Sequence, residues 1–172
     1  MLVERDGDLT LLAATLDSLD AEDIGGEALA DLLGLPAPPV WPPEHNDHDT
    51  RTWTREMMAK HPDEPGYSFW YIVADGELAG IGGYKGPPDA EGVVEIGYSV
   101  IEPLQRRGLA TRAARLLVQR AFADPRVNAV AAETLPPLIA SQTVLLRCGF
   151  ALAERKVDPE EGEVWRYLVA RP

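Results

Sequence analysis

The chain has 172 residues, of which 28 are acidic and 16 basic, for a net charge of −12, and it contains one cysteine. Like-charge repulsion excludes non-specific binding to nucleic acid or to an anionic membrane. One cysteine excludes an intrachain disulfide framework and a cysteine-rich zinc site. No stretch approaches the roughly 20 apolar residues of a membrane span, and Met1–Thr10 lacks the apolar core of a signal peptide. These features predict a soluble cytoplasmic protein folded as one domain over residues 1–172, with an N-terminal portion (1–66) and a core (67–172).

In chain order, Leu9–Ala14 is a short apolar run and reads as the first strand. Asp17–Leu33 has helical spacing broken at Gly25-Gly26, which predicts two short helices, the second from about Glu27 to Leu33 and stopped by Gly34. Pro36–Pro43 holds five prolines in eight residues. That composition forbids a helix or an inner strand and predicts an extended arm anchored by Trp41. Asp49 or Thr50 is the expected N-cap of a helix ending near Lys60, before Pro62.

From Tyr67 the pattern becomes strand-like. Phe69–Val73, the turn Asp75-Gly76 and Leu78–Tyr84 read as a hairpin. Val93–Ile101 is a further strand. Apolar residues at 109, 113, 116, 117 and 121 lie on one face of a helix within Gln105–Phe122, closed by Pro125. Asn128–Thr134 is a strand. Ile139–Arg147 is a helix with Gly149 just past its end. Phe150–Lys156 and Val164–Ala170 form a last hairpin. The sum is a mixed α/β sheet with helical crossovers.

The informative stretch runs from Glu95 to Thr111. A strand ends near Ile101, and a helix is expected to start around Arg107. Gly108 admits close approach of a ligand to the backbone. The first amides of a helix have no internal acceptors, and with the helix dipole they suit phosphate oxygens. Between Pro103 and Ala123 stand five arginines (106, 107, 112, 115 and 120) and no acid. This segment is therefore +5, and the rest of the −12 chain is −17.

Gln105-Arg-Arg-Gly-Leu-Ala110 resembles the Gln/Arg-x-x-Gly-x-Gly/Ala signature of the GNAT superfamily of acyl-CoA-dependent N-acyltransferases. The resemblance continues through Glu95-Ile-Gly-Tyr-Ser-Val100, Glu133-Thr134, Ala140-Ser141, Val144-Leu145 and Cys148-Gly-Phe150. It covers roughly Tyr67 to Ala170 and is similar to the branch that includes the Rim-type ribosomal-protein N-terminal acetyltransferases. The arm around Trp41 also looks like part of that branch.

The resemblance implies a mixed, mostly antiparallel sheet of six or seven strands flanked by helices. Its fourth and fifth strands, here Val93–Ile101 and Asn128–Thr134, splay to admit the pantetheine of acetyl-CoA. Contacts to that cosubstrate are implied at Ser99, Val100 and Ile101 for the pantetheine. For the pyrophosphate they are implied at Gln105, Arg106, Arg107, Gly108, Leu109, Ala110 and Thr111. The implied reaction is direct attack of a primary amine on the thioester, with no metal. A backbone amide near Val100 would stabilise the oxyanion.

Glu95, a carboxylate on an otherwise apolar strand, is the candidate base, with a water chain as the alternative; the simpler reading is that it points to solvent or pairs with an arginine. Ser141 matches the serine of the Rim-like branch and is the candidate donor to the departing thiolate, with a helix-start hydrogen bond as the simpler reading. The tyrosine often found four residues before the glycine of the Gly-Phe pair is Leu145 here. The asparagine often found three residues before the serine is Leu138. These losses leave open a second class, a CoA-binding sensor without turnover. Family members are commonly monomers or homodimers.

Other features have simpler explanations. His45–Asp49 lacks a third metal ligand on a rigid element and reads as a solvated loop. Gly80-Ile-Gly-Gly83 lacks dinucleotide-loop spacing and reads as strand glycines packed under a neighbour. Cys148 reads as a packed apolar residue. Trp41, Trp53 or Tyr84 are candidates for the wall of an acceptor pocket. An acidic rim would draw a cationic amine, such as a polyamine, an aminoglycoside-like compound or a basic peptide N-terminus.

Overall fold

A computed structural model describes residues 1–172. Its strands are β1 (Val3–Asp6), β2 (Leu9–Ala13), β3 (Phe69–Ala74), β4 (Glu77–Tyr84), β5 (Val93–Val100), β6 (Ala129–Thr134), β7 (Ala151–Asp158) and β8 (Gly162–Ala170). The helices are α1 (Leu16–Ile24), α2 (Gly26–Leu33), α3 (His48–Lys60), α4 (Leu109–Ala123) and α5 (Ile139–Arg147), with a 3₁₀ turn at Glu102–Leu104. All eight strands form one sheet in the order β1-β2-β3-β4-β5-β6-β8-β7. The β5–β6 pair is parallel and every other pair is antiparallel.

The sheet therefore has one or two strands more than the six or seven expected. The added strand is β1, an exposed edge whose sequence Val-Glu-Arg-Asp carries no alternation signal. Partners elsewhere in the chain hold it. Arg112 of α4 reaches Asp6 (3.1 Å) and Asp8 (3.0 Å), and Arg120 lies 3.6 Å from Glu4.

β3 is buried along its whole length because both faces of the sheet are covered there. Trp70 and Ile72 pack under α4 with Leu9, Leu11, Val94 and Ile96. Phe69, Tyr71 and Val73 pack under Leu19 of α1 and Leu29 of α2. Asp75 and Gly76 turn the β3–β4 hairpin with φ of 49° and 76°, the two positive values of a type I′ turn. α5 ends in a Schellman motif: Phe150 N donates to Leu145 O (3.0 Å) and Gly149 N to Leu146 O (3.1 Å).

Two helix starts differ from expectation. α3 begins two or three residues earlier, because Asp47 is the N-cap and accepts from Thr50 N at 2.8 Å. α4 begins at Leu109, since Arg106 (φ 64°) and Gly108 (φ 76°) both sit in the left-handed region. The proline arm is anchored by Trp41, whose Nε1–H donates to Glu22 at 2.9 Å. Gly26 makes room for this ring, which a Cβ at that position would strike at 2.6 Å.

Candidate active site

The site follows from where β5 and β6 stop pairing. Their register runs from Val93 opposite Ala129 to Ile96 opposite Ala132 and goes no further. Beyond it, Gly97–Val100 continue on β4, while Glu133 and Thr134 continue on β8. A gap opens between the two strands, as the resemblance implies. Lys85 N donates to Glu95 O and Ile101 N to Ala79 O, so the odd-numbered residues of β5 direct their backbone groups to β4. By alternation, the N–H and C=O groups of Tyr98 and Val100 point into the gap.

This alternation sorts the expected cofactor contacts. Val100 has its backbone in the gap, and its carbonyl accepts from Gln105 Nε2 at 2.9 Å. Gln105 thereby fixes the loop to the strand. Ser99 turns the other way: its backbone pairs with Ile81 of β4 and its residue lines the cleft on the opposite face. Ile101 is fully buried and hydrogen-bonded to Ala79.

At the head of the gap, α4 starts without a side-chain cap. Its first backbone bond is Arg112 N to Gly108 O, so the amides of Leu109, Ala110 and Thr111 remain open. A Cβ at Gly108 would meet no protein atom, so the space over this turn is free. The five arginines divide. Arg112 and Arg120 are held by β1 and its turn, with Arg120 also stacked 5.1 Å from the centre of the Trp70 ring. Arg115 donates to Arg147 O at 3.1 Å. Arg106 and Arg107 are exposed and in no ion pair, and they immediately precede the helix start, whereas Arg115, also without an acid, lies two turns along α4.

Glu95 faces the opposite side of the sheet from Val94 and Ile96. Its surroundings are not the isolated apolar ones expected. Lys85 Nζ holds one carboxylate oxygen and Arg166 Nη1 the other, the latter at 2.9 Å. Arg166 also reaches Glu133 at 3.3 Å, and Lys156 closes the chain on Glu133 at 2.5 Å. This ladder of alternating charge crosses β4, β5, β8, β6 and β7. Beside its Lys85 end lies a cleft of about 550 Å³, walled by His45, Asp47, Asp49 and Trp53 on one side and by Phe69, Tyr84 and Ser99 on the other. Of the three aromatic candidates, the Trp53 side chain lines this cleft; Tyr84 borders it, but its ring packs on the α4 face and its hydroxyl donates to Leu117 O, and Trp41 lies outside the cleft. Neither Asp47 nor Asp49 is ion-paired.

Ser141 lies in the first turn of α5, whose N-cap position is Leu138 and has no side-chain bond. Its partner is Tyr98, a residue that sequence reasoning quoted within the motif but gave no role. The phenol sits 3.3 Å from Ser141 Oγ and donates to Ser141 O at 3.2 Å. Burial pushes the Tyr98 phenol up to about 12. Thr134 ends β6, and its Oγ1 is buried without a partner. Cys148 is half-buried, bonded to Thr111 O at 3.4 Å, and its thiol is raised by burial, as suits a packed residue. Gly80 and Gly83 sit under Ser99 O and Ser68 O with no room for a Cβ, as suits strand glycines.

A sheet split at its one parallel pair, with open helix amides at the head of the split, is the architecture of an acyl-CoA-dependent acyltransferase. The profile of the acetyltransferase (GNAT) domain matches residues 9–151. The chain belongs to this family and is an N-acetyltransferase. It is 26% identical over 162 residues to the uncharacterized N-acetyltransferase YjdG of Bacillus subtilis, covering 93% of this chain and 94% of that one. Among solved structures it is similar to RimL, the ribosomal L7/L12 alpha-N-protein acetyltransferase, in complex with coenzyme A (TM-score 0.73, 18% identity, 98% of both chains). It is also similar to the microcin C7 self-immunity acetyltransferase MccE in complex with acetyl-CoA and AMP (TM-score 0.68, 18% identity, 96% and 94%). No helix of the chain is long and apolar enough to cross a membrane.

Proposed function

We propose that the protein transfers the acetyl group of acetyl-CoA to a primary amine by direct attack in a ternary complex. The observation that carries this reading is the gap between β5 and β6. It has open helix amides at one end and a cleft on the opposite face of the sheet. Pantetheine lies along the Tyr98 and Val100 backbone, and the pyrophosphate sits on the Leu109–Thr111 amides with Arg106 and Arg107 beside it. Arginine suits this task because its planar fork matches phosphate oxygens.

The amine enters from the cleft. Its nitrogen attacks the thioester carbon, and the Val100 N–H stabilises the oxyanion. The ammonium proton passes to Glu95, directly or through water. Lys85 and Arg166 hold that carboxylate in place. Asp47, Asp49 and the exposed Trp53 indole favour an acceptor that carries positive charge. Mixing protein, acetyl-CoA and an amine panel with a thiol reagent tests this reading. Amine-dependent thiol release is expected. CoA binding with no release across small amines and peptide N-termini would defeat it and favour a sensor.

A further inference from the structure

We propose that Tyr98 is a catalytic residue: its phenol O–H hydrogen-bonds the sulfur of CoA as the thioester breaks. The proposal rests on the ternary-complex reading above and adds the group that stabilises the leaving thiolate. Pairing between β5 and β6 ends at Ile96, and Tyr98 is the next residue on the same face of β5. Ile96 and Val100 pack under α4, and Tyr98 packs at the edge of that core. The ring thus stands at the mouth of the gap on the side of α4 and α5, opposite the acceptor cleft. Its hydroxyl extends to the first turn of α5 and meets Ser141 O at 3.2 Å and Oγ at 3.3 Å.

Across the gap, Thr134 shares the face of Val130 and Ala132 by strand alternation, and its buried hydroxyl has no partner in the chain. A buried hydroxyl without a partner is uncommon, because its desolvation goes uncompensated. Here it marks a polar lining that awaits a ligand. Tyr98 and Thr134 thus put a hydroxyl on each of the two strand ends that border the gap, with Ser141 beside the phenol to orient it. α5 itself offers no such group at Leu145, which is fully buried in the core.

The chemistry balances without a further reagent. The amine nitrogen forms the C–N bond, and the C–S bond breaks with its electron pair on sulfur. The amine proton leaves through Glu95 or water. The Tyr98 O–H turns from Ser141 O to the thiolate while Ser141 Oγ–H donates to the phenol oxygen, and the thiolate takes a proton from solvent on release. Burial holds the phenol at about 12, so its proton is in place at neutral and mildly alkaline pH.

Tyr98→Phe, Ser141→Ala and Tyr167→Phe form the test set. Tyr167 lies on β8 opposite Ala132, with β6 between it and β5. Calorimetry gives acetyl-CoA affinity, and thiol release gives kcat and KM. The ultraviolet absorbance of the thiolate gives the thiol pKa of bound CoA as a difference against the CoA-free protein, with no acceptor needed. Tyr98→Phe is expected to keep acetyl-CoA affinity and to lower kcat on the order of a hundredfold. It should raise the bound thiol pKa by about one to two units, the worth of a hydrogen bond to a charged group. Ser141→Ala should give a smaller shift in the same direction, and Tyr167→Phe none.

An unshifted thiol pKa in Tyr98→Phe overturns the assignment whatever happens to kcat. So does a shift in Tyr167→Phe in its place. Full kcat in Tyr98→Phe overturns it and leaves the acetyltransferase reading intact. A wild-type protein that does not bind CoA overturns the site itself.

Discussion

Glu22 is the most informative residue to perturb, because a buried carboxylate in no salt bridge holds the N-terminal arm, with Arg51 the nearby positive charge. It is 4% exposed and accepts from Trp41 Nε1 (2.9 Å), from Asn46 Nδ2 and from Tyr71 Oη (3.0 Å). Glu22→Ala strands the Trp41 and Asn46 donors. Tyr71 keeps an alternative acceptor in Ser18 Oγ at 3.2 Å. Two stranded donors at about 1–3 kcal/mol each, offset in part by removal of a buried charge, give a loss of about 3 kcal/mol. Glu22→Gln keeps an oxygen for Trp41 and Asn46 and an amide for Tyr71, so its effect lies in titration alone.

Burial holds the Glu22 carboxyl above its ordinary 4.5, which its three hydrogen bonds only partly counter. The stability that this raised value contributes is complete below pH 4.5 and is lost as pH rises through the folded-state value. Urea unfolding followed by circular dichroism, from about pH 4 to pH 8, should show Glu22→Gln level with wild type at the acid end and gaining on it above. A loss under about 1 kcal/mol for Glu22→Ala, or a Gln–Glu difference that is flat with pH, would refute the reasoning. Since the arm leads into His45 and Asp47 of the cleft, Glu22→Ala should also raise KM for the acceptor more than KM for acetyl-CoA.

Three further outcomes follow from the site. Gly108→Glu places a carboxylate where phosphate is to sit. The residue has φ 76°, so strain of about 1–2 kcal/mol is expected while the fold persists, and calorimetry should find CoA affinity lowered by more than a hundredfold. Arg106→Ala and Arg107→Ala should each weaken CoA roughly fivefold, whereas Arg112→Ala should leave CoA affinity alone and lower the melting temperature through β1. Glu95→Gln should lower kcat on the order of a hundredfold with CoA affinity unchanged; wild-type kcat from about pH 6 to pH 9 would remove it as the proton acceptor.

Much of the fold could be read from local chemistry. Asp75-Gly76 announced the hairpin turn, and Cys148-Gly149-Phe150 announced the end of α5. What escaped depended on partners distant in the chain. β1 is a strand because Arg112 and Arg120 of α4 bind its acids, and nothing in Val-Glu-Arg-Asp says so. The arginine count was right, but a count does not tell which side chains have acids waiting for them. Tyr98 looked like one more alternating residue. Its meaning comes from β6 leaving the ladder two residues earlier and from a serine 43 positions away. The sequence signal that was available is that Tyr98 lies on the Val94–Ile96–Val100 face, yet it alone among those residues carries a hydroxyl.

The strand alternation would let one short segment serve both ligands of the proposed reaction. Even-numbered residues of β5 turn their side chains under α4 and α5 and their backbone into the gap. Odd-numbered ones bond to β4 and turn Glu95, Gly97 and Ser99 toward the cleft side. In the proposed ternary complex, donor and acceptor therefore approach from opposite faces and meet near Val100. The same separation reconciles an anionic cosubstrate with a chain of −12. The Debye length is about 8 Å at physiological ionic strength, so a phosphate at the start of α4 responds to the groups beside it. Those are Arg106, Arg107 and three open amides. The neighbouring acids of β1 and its turn are already neutralised by Arg112 and Arg120. The excess negative charge lies elsewhere, and part of it, Asp47 and Asp49, borders the cleft where an amine would arrive.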